Sequence, residues 1–208
     1  MMFLCRHGAH VDNVLTEAGK KEILRSAEAV GATIFASLVT IGRNRIILVS
    51  SPQPRAIESA GIYDDVIREY NQNLRITRLD PDPRLDVANG LAAAIKTGKL
   101  PAYKPGGDCL PAWGRLTRIE CKDIGMESWF NVARRANRAF SDIQEAYPNN
   151  IVIAVFHGGV IEPMVDWRRS VVLDDLPSGA VVKIGHDVTF FDPNGKLAPG
   201  QWVPAPHH

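Results

Sequence analysis

The sequence lacks most of the features that assign a protein quickly. It has only three cysteines in 208 residues, Cys5, Cys109 and Cys121, and these make neither an even disulfide framework nor a close metal-binding pair. That usage predicts a reducing, cytoplasmic setting. No sign of charge dominates: 24 basic against 23 acidic side chains leave a net +1, so there is no electrostatic case for nucleic acid or an anionic membrane as a partner. No apolar run approaches the roughly 20 residues of a spanning helix. The N-terminus also lacks the basic-then-apolar pattern of a secretory signal. There is no internal repeat. Neither Gly-x-Gly-x-x-Gly nor a P-loop occurs, which argues against the common nucleotide-binding domains.

What the chain does contain is a regular alternation of short apolar runs and amphipathic stretches. At 45% hydrophobic residues it can bury one substantial core, so a single domain over 1–208 is expected. Met2 to Cys5, Ile46 to Ser50 and Ile151 to Phe156 are continuously apolar, the pattern of strands covered on both faces in a parallel sheet. Ile23, Ala27, Val30 and Ile34 place one apolar face on a helix over about 16–38, with Thr16 as its N-cap and Gly31 weakening its later part. A second helix is predicted over about 54–70, an edge-like strand over 73–79, a helix over about 127–147, a short helix ending near Trp167, and last strands over 181–184 and 188–191. The stretch from 87 to 124 holds scattered glycines and prolines and reads as an irregular insertion or mobile cap, not as core. Alternating strands and helices predict an α/β fold, with helices on both faces of a mostly parallel central sheet.

Three of the strands end in chemistry. The first runs into Arg6-His7-Gly8. The second runs into Ser50-Ser51-Pro52, with Arg55 one turn on. The third runs into His157-Gly158-Gly159. In open α/β sheets, ligands bind at the carboxyl ends of strands. If these strands are neighbours, two arginines and two histidines converge. Guanidinium forks match phosphate oxygens, and N–H groups after Gly8 and Gly158 add anion donors. A neutral imidazole in such a pocket can attack phosphorus, while the other donates to the equatorial oxygens as charge builds. The scheme needs no metal, and no cofactor is expected.

These residues resemble the histidine phosphatase superfamily, also called phosphoglycerate mutase-like, in its first branch. Arg6-His7-Gly8 with Asn13 is similar to the family's Arg-His-Gly motif and its later Asn. Residues 15–22 resemble its Leu-Thr-x-x-Gly helix start. Residues 50–60 resemble Ser-Ser-Pro-x-x-Arg-Ala. Residues 125–128 resemble a Gly-Gly-Glu-Ser helix entry, and 156–164 resemble the second-histidine motif. The likeness runs in order from the first strand to Met164 and leaves out most of 87–124. It implies a three-layer α/β/α sandwich and a phosphatase with a phosphohistidine intermediate on His7. Arg6, Arg55, His157, Asn13 and Gly158 would form the phosphate pocket. The partner would be a small phosphorylated substrate or a phosphoprotein.

The general acid departs from the pattern. Where the family has Leu-x-Glu, this chain has Leu85-Asp86-Val87, so Val87 holds the glutamate slot and Asp86 stands one position off. Asp86 is the favoured acid, with Asp82, Asp108 and Glu127 open alternatives. The irregularity leaves a second reading, a catalytically impaired relative that binds phosphate or a phosphoprotein. The mutases' Glu-Arg-His-Tyr-Gly segment does not occur, which favours hydrolysis over a phosphoglycerate mutase. From Leu91 to Asp123 six basic residues (Lys96, Lys99, Lys104, Arg115, Arg118, Lys122) outnumber three acidic ones (Asp108, Glu120, Asp123), so a cap here could meet a distal anionic group on a substrate or be a solvated loop.

Three decoys fall away. Cys109 to Arg115 fits the Cys-x5-Arg phosphate loop, but Pro111 lacks an N–H and no buried strand precedes it. His186-Asp187 resembles the His-Asp pair of the superfamily's second branch, a role His157 already fills. His7, His10 and Asp12 share one loop without a second ligand cluster, so His10 is read as a pocket-rim side chain.

Overall fold

The computed structural model describes residues 1–41, 45–70, 74–100, 113, 116–169, 176–185 and 188–194. Strand β1 (Met2–Arg6) leads into a hairpin of β2 (His10–Val11) and β3 (Val14–Leu15), then a long helix, α1 (Glu17–Ile41). There follow β4 (Arg45–Ser50), α2 (Pro54–Tyr70), β5 (Arg75–Arg78), a 3-10 turn (Pro83–Leu85), α3 (Leu91–Lys96), α4 (Arg118–Asp123) and α5 (Trp129–Ala146). The chain then passes through β6 (Ile151–Phe156), α6 (Gly158–Arg169), β7 (Val181–Ile184) and β8 (Val188–Phe191).

Six strands form one sheet in the order β5-β4-β6-β1-β7-β8. The four strands β5, β4, β6 and β1 run parallel, while β7 pairs antiparallel with β1 and with β8. Side chains alternate across the sheet, and both faces are apolar. Phe3, Cys5, Ile46, Leu48, Ile153 and Val155 point to one face, where Ile23, Ala27, Val30 and Ile34 of α1 and Tyr63 and Ile67 of α2 cover them. Met2, Leu4, Ile47, Val49, Val152 and Ala154 point to the other, under Val132, Ala136 and Phe140 of α5 and Val160, Ile161 and Met164 of α6. The three-layer α/β/α sandwich is thus present, and the continuous apolar runs of β1, β4 and β6 follow from being covered on both sides.

The local signals are also legible. Thr16 caps α1, its Oγ1 accepting from Gly19 N at 3.0 Å. The helix runs on past the predicted end to Ile41. Gly31 serves packing, since a Cβ there would lie 2.8 Å from the Tyr70 ring. The predicted strand over 73–79 is β5 at the sheet edge; residue 73 lies outside the described residues.

One expectation is corrected. The 87–124 stretch is not confined to a cap outside the core. Its described residues include α3 and α4, and Ala88, Ala94, Leu100, Trp113 and Cys121 join the apolar cluster that contains Leu4 and Phe156. Trp113 is fully buried, and its Nε1 donates to Glu127 O at 3.0 Å. These apolar residues are too sparse in sequence to show a period, and tertiary packing alone brings them together. No helix among the described residues is long and apolar enough to cross a membrane.

Candidate active site

The sheet order makes β4, β6 and β1 consecutive neighbours, and their carboxyl ends are level. Arg6 pairs with Phe156, and both Cys5 and Ser50 pair with Val155. The ladder continues one residue further, with His7 N donating to Phe156 O at 3.0 Å and Ser51 N to Val155 O at 2.9 Å. The next residues out of the sheet, His7, Ser51 and His157, therefore emerge together. Gly8 is required at this exit: a Cβ on it would lie 2.4 Å from Gly19 O, and one on Gly19 would lie 2.0 Å from Ala9 O. That close backbone approach seats the loop after β1 directly on the first turn of α1.

The His7 ring has a defined tautomer. Its Nδ1 lies 2.8 Å from Gly8 O, a carbonyl that can only accept, so Nδ1 carries the proton. Nε2 is left with its lone pair, and Arg55 Nε donates to it at 3.0 Å. His157 has the opposite tautomer. Its Nδ1 accepts from Arg55 Nη2 at 3.2 Å, and its Nε2–H points to Ser51 Oγ at 2.8 Å. The ring centroids of His7 and His157 lie 5.0 Å apart. Arg55, on the first turn of α2, also donates through Nη1 to Asn13 Oδ1. Asn13 reaches it from the two-residue turn between β2 and β3, where Asp12 and Asn13 both have positive φ, 48° and 67°. That is the signature of a type I′ hairpin, a conformation Asn and Asp tolerate.

Both histidines are buried, and both are held neutral. Burial pushes the His7 imidazole down to about 3, against the pull of the Gly8 carbonyl and with help from Arg55, Arg6 and His10. Burial likewise takes His157 well below the usual imidazole range, aided by His7, Arg55, Arg6 and His10. His10 is exposed at the rim, its ring 5.0 Å from His7, and is lowered by partial burial and then by Arg55 and Arg6. Arg6 and Gly158 are neighbours: a Cβ on Gly158 would stand 3.3 Å from Arg6 Nη1. The cations that a phosphate would meet are thus in place around two uncharged imidazoles.

Of the candidate acids among the described residues, Asp86 alone lies at the pocket. Its Oδ1 lies 3.8 Å from His157 Nε2, and its side chain is 32% exposed. Asp82 is engaged elsewhere; burial would raise its pKa, but hydrogen bonds from Arg84 outweigh that and lower it. Glu127 takes two bonds from Arg135, at 2.9 and 3.0 Å. Asp108 lies outside the described residues, as do Cys109, Arg115 and His186. Among the described residues no group of three His, Cys, Asp or Glu could hold a metal ion.

Three contributors escaped the sequence reading. Gln53 Nε2 donates to both oxygens of Asp86, at 2.9 and 3.2 Å. Ser51 receives His157, and Arg135 Nη2 binds the carbonyls of Asp86 and Val87 at 2.8 and 3.1 Å. Gln53 and Ser51 lie in the quoted Ser-Ser-Pro-x-x-Arg segment, whose polar side chains were the available signal; nothing in the sequence pointed to Arg135.

Comparison of the sequence with family models and with curated proteins finds no match. Solved structures do match. The phosphoglycerate mutase of Bacillus anthracis str. Sterne aligns with a TM-score of 0.60 and 16% identity over 92% of this chain and 88% of that one. A mycobacterial glucosyl-3-phosphoglycerate phosphatase complexed with VO3 aligns at 0.53 and 19% identity over 92% and 96%. The protein histidine phosphatase SixA complexed with tungstate aligns at 0.50 and 16% identity over 98% and 96%. Sheet order, layers and these likenesses agree that the chain has a phosphoglycerate mutase-like α/β fold.

Proposed function

We propose that the protein is a phosphatase that hydrolyses a phosphomonoester through a phosphohistidine on His7. The observation that carries this reading is the lone pair on His7 Nε2, turned toward Arg55 and 5.0 Å, ring to ring, from a second neutral imidazole. A phosphoryl group entering there takes over the Arg55 hydrogen bonds now given to the two imidazoles and is met by Arg6. Nε2 attacks phosphorus as the ester bond breaks, and the leaving oxygen takes a proton from the Asp86 carboxylic acid. The Nδ1–H bond to Gly8 O steadies the positive ring of the phosphohistidine. Water then attacks phosphorus and gives its proton to the Asp86 carboxylate. The His7–phosphorus bond breaks, and inorganic phosphate leaves. His157 takes up a proton from solvent as the bound dianion offsets the surrounding positive field, donates to an equatorial oxygen, and returns the proton to solvent when inorganic phosphate leaves.

Two further observations support hydrolysis. The part-exposed Asp86 lies where water has access. Two of the aligned structures, each named as a phosphatase, hold VO3 and tungstate, oxyanions that the cluster of Arg6, Arg55, His7 and His157 also suits. The reading as a non-catalytic phosphate-binding relative drew on the displaced register at Asp86, and the nearness of that carboxylate to His157 weakens its ground.

The test is turnover of p-nitrophenyl phosphate without added metal, by the unaltered protein and by His7→Ala. Turnover is expected in the first and a loss of at least about 10³-fold in the second, with circular dichroism unchanged. Full activity in the folded variant, or phosphate binding without turnover in the unaltered protein, overturns the proposal.

A further inference from the structure

Past Arg55 the pocket opens into a cavity of about 560 Å³. That volume is in the range of a small-molecule site. Its far wall is the start of α3 and the loop before it: Val87, Ala88, Leu91, Ala92 and Ile95, with the Asn89 amide at the edge. Its near wall is Arg55, Gln53 and Asn13, the same side chains that hold His7 and Asp86. The cavity therefore adjoins the phosphate pocket and shares Arg55 with it.

Gly90 fixes this wall. It has φ +76°, and a Cβ on it would lie 2.1 Å from Gly125 O, so glycine alone lets the chain press against that loop and start α3 toward the cavity. Val87, which stands in the glutamate slot of the sequence pattern, becomes part of the apolar lining while Asp86 turns to His157.

The lining is notable for its charge. Apart from Arg55, no lining residue is ionisable among the described residues. The basic residues that suggested a contact to a distal anion stand elsewhere: Lys96, Lys99 and Lys122 are exposed and outside the lining, and Arg118 lies 3.4 Å over the Phe130 ring. Lys104 and Arg115 are outside the described residues. A carboxylate or second phosphate in this cavity would be desolvated by alanine and leucine, and among the described residues the lining offers no cation beyond the one already committed to the phosphoryl group.

We propose that the substrate is a phosphomonoester whose alcohol part is uncharged and largely apolar, seated in this cavity against Val87, Ala88, Leu91 and Ile95. The inference rests on the reading of the Arg6, His7, Arg55 and His157 cluster as a phosphate site, and it selects among that site's substrates. Phosphoglycerate-like compounds, which carry a carboxylate, belong to the disfavoured class.

The test uses two phosphonates that cannot be hydrolysed, so that binding is read apart from turnover. Calorimetric titration with 1-naphthylmethylphosphonate and with 3-phosphonopropionate compares an apolar with a carboxylated tail on the same anionic head. The naphthyl compound is expected to bind at least about tenfold more tightly. Ala92→Lys, at an exposed position of α3, and Leu91→Arg bring a cation to the cavity and are each expected to reduce that ratio at least about tenfold. Equal or tighter binding of the carboxylated compound to the unaltered protein overturns the inference, as does a ratio that neither variant moves. Failure of both compounds to bind overturns it together with the phosphate site. Turnover of p-nitrophenyl phosphate alongside a preference for the carboxylated tail overturns this inference alone. Absent turnover with the apolar preference intact overturns only the phosphatase reading.

Discussion

Arg55 donates from Nε to Nε2 of His7 at 3.0 Å, and from Nη2 to Nδ1 of His157 at 3.2 Å. One rigid fork thus sets the orientation of two imidazoles. A guanidinium cannot accept, so each of these bonds also selects the nitrogen that carries no proton. Arg55 is itself part-buried, its pKa lowered by burial despite Asp86 and further by Arg6, so its charge is poised in a poorly hydrated site.

Arg55→Lys should therefore behave as a severe substitution. A lysine ammonium has no planar fork and cannot serve His7, His157 and Asn13 at once. Loss of such a positioned donor set is expected to lower kcat/KM for aryl phosphates by roughly 10²–10³-fold. Steady-state kinetics with a circular dichroism control reads this, and near-normal kcat/KM in a folded Arg55→Lys protein rules out the orienting role.

Much of this arrangement could be seen in the sequence, for physical reasons. Continuous apolar runs at β1, β4 and β6 announced strands covered on both faces, and Arg6, His7 and His157 at their ends stood out because a buried strand rarely exits into paired cations and imidazoles. The order β4-β6-β1 was not legible, because crossover connections leave no local trace. The Asp86 and Val87 ambiguity came from the same limit. A 3-10 turn at Pro83–Leu85, capped by Asp82, decides which of the two faces His157, and a turn's exit angle cannot be counted in residues. Trp113 and Cys121 were missed as core because single apolar residues among glycines and prolines carry no period.

Asp86→Asn should discriminate by leaving group. An amide keeps the shape but has no acidic proton to give, so alkyl phosphates, which leave as strong bases, are expected to slow by roughly 10²–10⁴-fold. p-Nitrophenyl phosphate, whose leaving group needs little protonation, should slow least. Gln53→Ala should show a weaker version of the same pattern, since Gln53 acts by holding both Asp86 oxygens. Rates plotted against leaving-group pKa give the answer. A slope unchanged in Asp86→Asn removes Asp86 from the acid role.

The neutral, buried state of His7 should be measurable as stability. Its folded pKa is lowered to about 3 from 6.5, so between those values the unfolded chain binds a proton that the folded protein does not. Stability contributed by this difference is fully present above 6.5 and is lost as pH falls, at a limiting slope of about 1.4 kcal/mol per pH unit. From pH 7 to pH 5.5 His7 alone accounts for about 1.3 kcal/mol of destabilisation on that relation. The surrounding groups act in two senses. Arg55, Arg6 and His10 oppose a charge on His7, while the Gly8 carbonyl, accepting from Nδ1, favours it. Urea midpoints across this window should therefore fall with acid in the unaltered protein and fall less steeply in His7→Asn, the difference between the two slopes reading the loss of this imidazole together with its effect on His157. Parallel slopes would mean that His7 takes its proton as readily folded as unfolded, and the neutral nucleophile on which the phosphohistidine chemistry depends would then not exist at mildly acidic pH.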